Sequence, residues 1–235
     1  MQPLQHRRPD FAQAQSHARN EVASALMTQV YWWMSVGLGL TGLIAYAVAH
    51  VPPLTNLIFG NPMVFYGLLF GELALVWFLS ARITRMSTAG AVGGFLFYSA
   101  LNGLTMAFIF LAYTEASIAS TFFITGGTFG TMAVFGTVTK KDLSGWGSFL
   151  FMGLIGIIIA MVVNMFLASP MLYWGITIFG VLIFVGLTAY DVQRIRAMAA
   201  ENPGAPNLAV YGALRLYLDF INLFLMLLRL FGNRR

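Results

Sequence analysis

Apart from Arg229 near the chain end, four ionisable side chains fall within long apolar runs or at their edges: Glu72, Asp191, Arg215 and Asp219. Such groups are costly away from water, and where they persist they pair, relay protons or mark an ion path. Asp191 and Asp219 are separated by 28 positions that include a polar linker with Pro203, Gly204 and Pro206, long enough to let them meet. Two carboxylates brought together in a low dielectric cannot both ionise cheaply, so they are expected to share one proton and titrate as a unit. Unprotonated, the same oxygens are hard ligands suited to Ca²⁺, with carbonyls and waters completing the shell. Simpler roles exist for each residue. Arg215 precedes Asp219 by one helical turn, the spacing of an intrahelical ion pair, and Asn222 shares that face. Asp191 beside Arg194 can face interfacial water. Glu72, deep in its run, is either protonated and hydrogen-bonded to a neighbouring helix or part of a polar path with Asn222 and Arg215.

Little other chemistry is encoded. The chain has no cysteine, which removes disulfides and thiolate metal sites. Its three histidines, His6, His17 and His50, lie in the tail or at a membrane edge, and no HExxH, GxSxG or Walker-type loop occurs. An intramembrane aspartyl protease would also use two aspartates, but Tyr190-Asp191 and Leu218-Asp219 lack the Gly-x-Gly-Asp surroundings of such enzymes. The chain is therefore read as a non-enzyme with no cofactor.

The elements that must hold these residues are membrane helices. Hydrophobic residues make up 59% of the chain, charged residues 9%, and mean hydropathy is +0.78, whereas a soluble domain carries roughly 25% charge. Seven apolar segments approach the roughly 20 residues needed to cross a bilayer: 31–51, 63–81, 89–111, 118–138, 149–168, 173–190 and 208–231. The prediction is an all-α integral membrane protein with a polar N-terminal tail at 1–28, a seven-helix domain at 29–231 and a short basic C-terminus at 232–235. Lys and Arg alternate between connections: Arg82 and Arg85, then Lys140 and Lys141, then Arg194 and Arg196. That pattern places the N-terminus and these loops in the cytoplasm. The net charge of +5 is spread in these small groups and forms no nucleic-acid patch. Arg229, Arg234 and Arg235 would then end outside, which leaves a re-entrant last segment as the alternative to a full crossing. The many glycines within segments read as close helix packing. The Gly- and Thr-rich fourth segment, with Thr125, Thr128, Thr131 and Thr137, is also a candidate lining for a hydrated path. Asn102 and Asn164 read as helix–helix hydrogen bonders.

The motif Leu187-Thr188-Ala189-Tyr190-Asp191 is followed 28 positions on by Leu216-Tyr217-Leu218-Asp219-Phe220-Ile221-Asn222-Leu223-Phe224 and Leu228-Arg229. Together with Lys140-Lys141-Asp142-Leu143-Ser144, it closely resembles the Bax inhibitor-1 family, in particular its bacterial branch. The resemblance covers the chain from the first apolar segment to Arg229. It implies seven helices, the last central and wrapped by the other six, and a pH-sensitive calcium leak. Its di-aspartyl sensor falls on Asp191 and Asp219, and the arginine latch at the end of the second helix falls near Arg82 or Arg85. The expected function is thus a calcium leak channel acting in the lipid bilayer on Ca²⁺ and protons. The alternative is a non-conducting interaction protein that restrains a membrane-protein partner, such as a membrane protease or a stress or death regulator. Thin pore chemistry, with few buried ionisable residues, favours the latter.

Overall fold

A computed structural model describes residues 8–235, with side chains from residue 17 onward. His6 and Arg7 of the tail lie outside the described residues. The helices are α1 (Arg8–His50), α2 (Pro52–Phe59), α3 (Pro62–Arg82), α4 (Thr88–Met106), α5 (Phe108–Ala112), α6 (Glu115–Val138), α7 (Ser144–Leu167), α8 (Pro170–Glu201) and α9 (Leu208–Phe231), with a 3-10 turn at Ile83–Arg85 between α3 and α4. Among the described residues the only β-type pairing is an isolated bridge, Tyr113 to Arg234.

Local chemistry sets the boundaries. Asn61, Ser87, Thr114 and Ser169 each accept a backbone N–H at a helix start, so four ends have their orphan donors satisfied. Pro52, Pro62 and Pro170 occupy first-turn positions, where a missing N–H costs nothing. At the α6–α7 loop, Asp142 accepts from Ser144 N at 2.9 Å. The Ser144 hydroxyl and then its amide hold the Asp142 carboxyl below its ordinary range. This exposed turn is therefore intact at neutral pH and fades only in acid.

Among the described residues six helices are long and apolar enough to cross a membrane: α1, α3, α4 with α5, α6, α7 and α8. Their outward faces carry large apolar side chains, among them Met63, Trp77 and Phe166, as a lipid-facing surface requires. α9 is different, with 15 of its 24 residues buried. It packs against α1, α4, α6 and α8, while α3 packs mainly on α4 and α7 on α8. Two anchors fix its ends. Asn207, in a left-handed conformation (φ 60°), donates from Nδ2 to Ile83 O (3.1 Å) and Met86 O (2.6 Å). At the other end Thr114 N donates to Asn233 O (3.1 Å), Arg235 N to Ala112 O (3.0 Å), and the Arg235 guanidinium lies 3.5 Å from Glu115. α9 therefore reaches from the Ile83–Met86 turn at one end to Ala112 and Thr114 at the other.

Several boundaries differ from the hydropathy reading. α1 begins at Arg8 and not near Tyr31, because Ala23, Met27 and Val30 give the polar stretch a buried stripe at helical spacing. The 1–28 tail is thus helical over its described part. α8 continues past Tyr190 to Glu201 and buries Val192, Ile195 and Ala199. Apolarity stops at the first charge, but an amphipathic helix does not. The 51–62 connection holds the short α2, and the third segment breaks at Ala107 into α4 and α5.

Candidate functional site

Asp191 and Asp219 come together where α8 packs on α9. Both are buried, at 2% and 6% exposure, and the two carboxyl groups are neighbours that act on one another. Extension of α8 beyond Tyr190 puts Asp191 inside a helix and not at its wet end. The guanidinium that grips it is Arg215: Nε donates to Oδ2 at 2.9 Å, and Nη2 lies 2.9 Å from Oδ1. The second contact is short but poorly directed, so Oδ1 of Asp191, like Oδ2 of Asp219, has no aligned donor. Two neighbouring carboxyl groups that each keep one buried oxygen without a donor form a place for one proton or one small cation.

The i, i+4 reading of Arg215 with Asp219 is thereby corrected. Arg215 reaches across to Asp191 on α8, and its guanidinium also meets Tyr211 (Nη1 to OH, 3.1 Å). Arg194 forms no ion pair with Asp191 and acts on it only at longer range; it donates to the Tyr190 hydroxyl at 2.6 Å. Arg82 and Arg85, expected to supply the latch, are both exposed, and neither forms an ion pair among the described residues. They sit at the end of α3, which leans on α4 and away from α8. Ca²⁺ ligation by the dyad is also limited in this conformation. Arg215 holds one carboxylate, and no cluster of three ligating side chains exists among the described residues. The dyad is enclosed, with both aspartates buried.

Glu72 lies apart from the dyad. Half-buried on α3, it accepts from Thr105 Oγ1 at 2.8 Å, the helix-to-helix hydrogen bond expected of it. Asn222 donates to Leu218 O on its own helix (2.8 Å), so it does not bridge Glu72 to Asp219. Asn164 caps the α7–α8 hinge by accepting Ser169 N (2.9 Å), and Asn102 keeps a buried Oδ1 without a donor. Thr125, Thr128 and Thr131 donate their hydroxyls to carbonyls of their own helix α6.

Comparison with known proteins decides the family. The family model described as inhibitor of apoptosis-promoting Bax1 matches residues 23–235. The chain belongs to the Bax inhibitor-1 family. The inner membrane protein YbhL of Escherichia coli strain K12 is 52% identical over 214 residues, covering 89% of this chain and 92% of the relative. A Borreliella burgdorferi protein is 45% identical, covering 91% and 94%, and a membrane protein of Streptococcus pyogenes serotype M1 is 38% identical, covering 87% and 91%. With its apolar helices, this Bax inhibitor-1 family member is a bacterial multi-pass membrane protein.

One feature of this family member escaped the sequence reading. The Tyr217 hydroxyl, fully buried two residues before Asp219, meets Thr41 Oγ1 at 2.6 Å, and Thr41 donates to Ser99 O at 2.8 Å. These groups tie α9 to α1 and α4. The available signal was a tyrosine one and two helical turns from Phe220 and Phe224 on the apolar face of α9, since a buried Tyr requires a partner. Nothing in the sequence points to Thr41.

Proposed function

We propose that this protein is a pH-sensitive calcium leak channel of the bacterial inner membrane, gated by Asp191 and Asp219 with Arg215 as the latch. The observation that carries the reading is a buried carboxylate pair shared between two helices and clasped by one half-exposed guanidinium. Such an arrangement has two states. With Arg215 on Asp191, the α8–α9 contact is closed. When Arg215 is released, two neighbouring carboxylates become available to a hard cation or to a proton, and calcium, the permeant substrate, competes with protons for the same oxygens. A proton also removes the anion that Arg215 grips, so it acts on both the latch and the ion site.

The location and topology are part of the proposal. The YbhL relative is named as an inner membrane protein, and we carry that location over. All six long apolar helices and α9 cross the bilayer, seven in total, with α9 central, the N-terminus and the basic loops in the cytoplasm and the C-terminus outside. Alternating Lys and Arg support this orientation. Because the chain has no cysteine, single introduced thiols report cleanly. Ser144→Cys is expected to react with a membrane-impermeant maleimide only from the cytoplasmic side, and Asn233→Cys only from the outside. Labelling of both from one side would overturn the seven-crossing reading.

The functional test is Ca²⁺ entry into dye-loaded proteoliposomes across a pH series. Wild-type flux is expected to vary with pH, and Asp191→Asn/Asp219→Asn to make it pH-independent. A variant profile that tracks the wild type would sink the dyad as gate. Absence of flux above empty liposomes at every pH would instead favour a non-conducting protein that restrains a membrane partner.

A further inference from the structure

At the end of the bundle opposite the basic loops, the α7–α8 hinge and the last turn of α9 enclose a cavity of about 590 Å³. Its wall includes Tyr173, Trp174, Arg229 and Arg234, and none of its lining residues is acidic. Both guanidiniums sit over the Tyr173 ring, at 6.0 Å and 5.8 Å from its centroid. Their other partners are neutral: Arg234 interacts with Tyr113 and donates from Nη2 to the Tyr173 hydroxyl at 3.0 Å, and Arg229 Nη1 meets the thioether of Met161 at 3.9 Å. Glu115, the acid at this end, is already taken by His50 and Arg235, each 3.5 Å away. Arg229 is half-buried and presents a five-donor fork with no acceptor of matching charge.

We propose that this cavity binds the phosphate of an anionic phospholipid headgroup, with Arg229 and Arg234 as the phosphate clamp. Two guanidiniums that line one cavity beside one tyrosine ring suit a phosphodiester, which offers the acceptor oxygens that they lack. The surroundings select a lipid over a free anion. Phe166, Leu167 and Met171 beside the hinge are strongly exposed and apolar, so acyl chains have a wall to lie against directly below the headgroup. Tyr173 and Trp174 sit at the level where amphipathic rings gather at a membrane–water boundary. Basic pockets between membrane helices are known to take anionic headgroups. On the orientation proposed above, the lipid belongs to the outer leaflet. The site does not depend on the calcium reading, because its test measures binding and not flux.

The purified full-length protein is titrated with phosphatidylglycerol or phosphatidylcholine, and retained lipid is counted by native mass spectrometry. Phosphatidylglycerol is expected to be retained about tenfold better, because both lipids offer the phosphodiester but phosphatidylcholine brings a quaternary ammonium that two guanidiniums repel. Arg229→Gln/Arg234→Gln should bring the two lipids to parity, while Lys140→Gln/Lys141→Gln, at the opposite end, should leave the preference unchanged. Arg234→Glu, on an exposed side chain, provides the same test if the double variant does not purify. Equal retention by the wild type overturns the proposal, as does a preference that survives in the arginine variants. Displacement of phosphatidylglycerol to parity by millimolar inorganic phosphate would overturn the lipid in favour of a soluble anion.

Discussion

Arg215→Met is expected to destabilise the protein by about 2–4 kcal/mol, and adding Asp191→Asn to recover most of that loss. Removing one partner of a buried ion pair strands the other, and Asp191 at 2% exposure has no water to turn to. A fully buried pair broken in this way loses roughly 3–5 kcal/mol. The figure is lowered here because the Arg215 side chain is 34% exposed and partly screened. An amide at position 191 carries no charge to strand, so the double variant is expected to unfold close to the wild type. Denaturant or thermal unfolding in detergent, run as a double-mutant cycle, measures the coupling directly. Additive losses would mean that Arg215 and Asp191 do not depend on each other, which would also remove the latch from the gating proposal.

The coupling between these two residues marks the limit of what the sequence makes legible. Composition and the lengths of the apolar runs predict a helical membrane protein, and each apolar run corresponds to a helix. The identity of the two aspartates follows from the same logic, since a charge inside an apolar run has few bland explanations. Their partner does not follow. Arg215 is four residues from Asp219 and 24 from Asp191, so local spacing favours the pairing that does not form. The choice is settled by the crossing of α8 on α9, which only tertiary packing determines. For the same reason the family likeness pointed to Arg82 or Arg85, while the arginine that reaches Asp191 lies on α9. Helix ends failed wherever polarity and helicity part company: α1 and α8 both extend into charged sequence, because a buried stripe sustains a helix after mean hydropathy has fallen.

The glycines show the same limit in a form open to measurement. In sequence, Gly130 and Gly136 of α6 look alike, and both read as places of close helix approach. In the structure a Cβ on Gly136 would collide with the backbone carbonyl of Ala189 on α8, whereas one on Gly130 meets nothing within 4 Å. A carbonyl in a helix cannot rotate aside as a side chain does. Gly136→Val must therefore push α6 from α8 and is expected to cost about 1–3 kcal/mol, the range for overpacking a tight contact. Gly130→Val, on open surface, should stay within about 0.5 kcal/mol of the wild type. The displacement falls two residues from Asp191, on the helix that carries half of the dyad. If the α8–α9 contact is the gate, Gly136→Val should also change calcium flux and its pH profile, with Gly130→Val matching the wild type. Equal effects of the two substitutions on stability would mean that α6 does not approach α8 at Ala189.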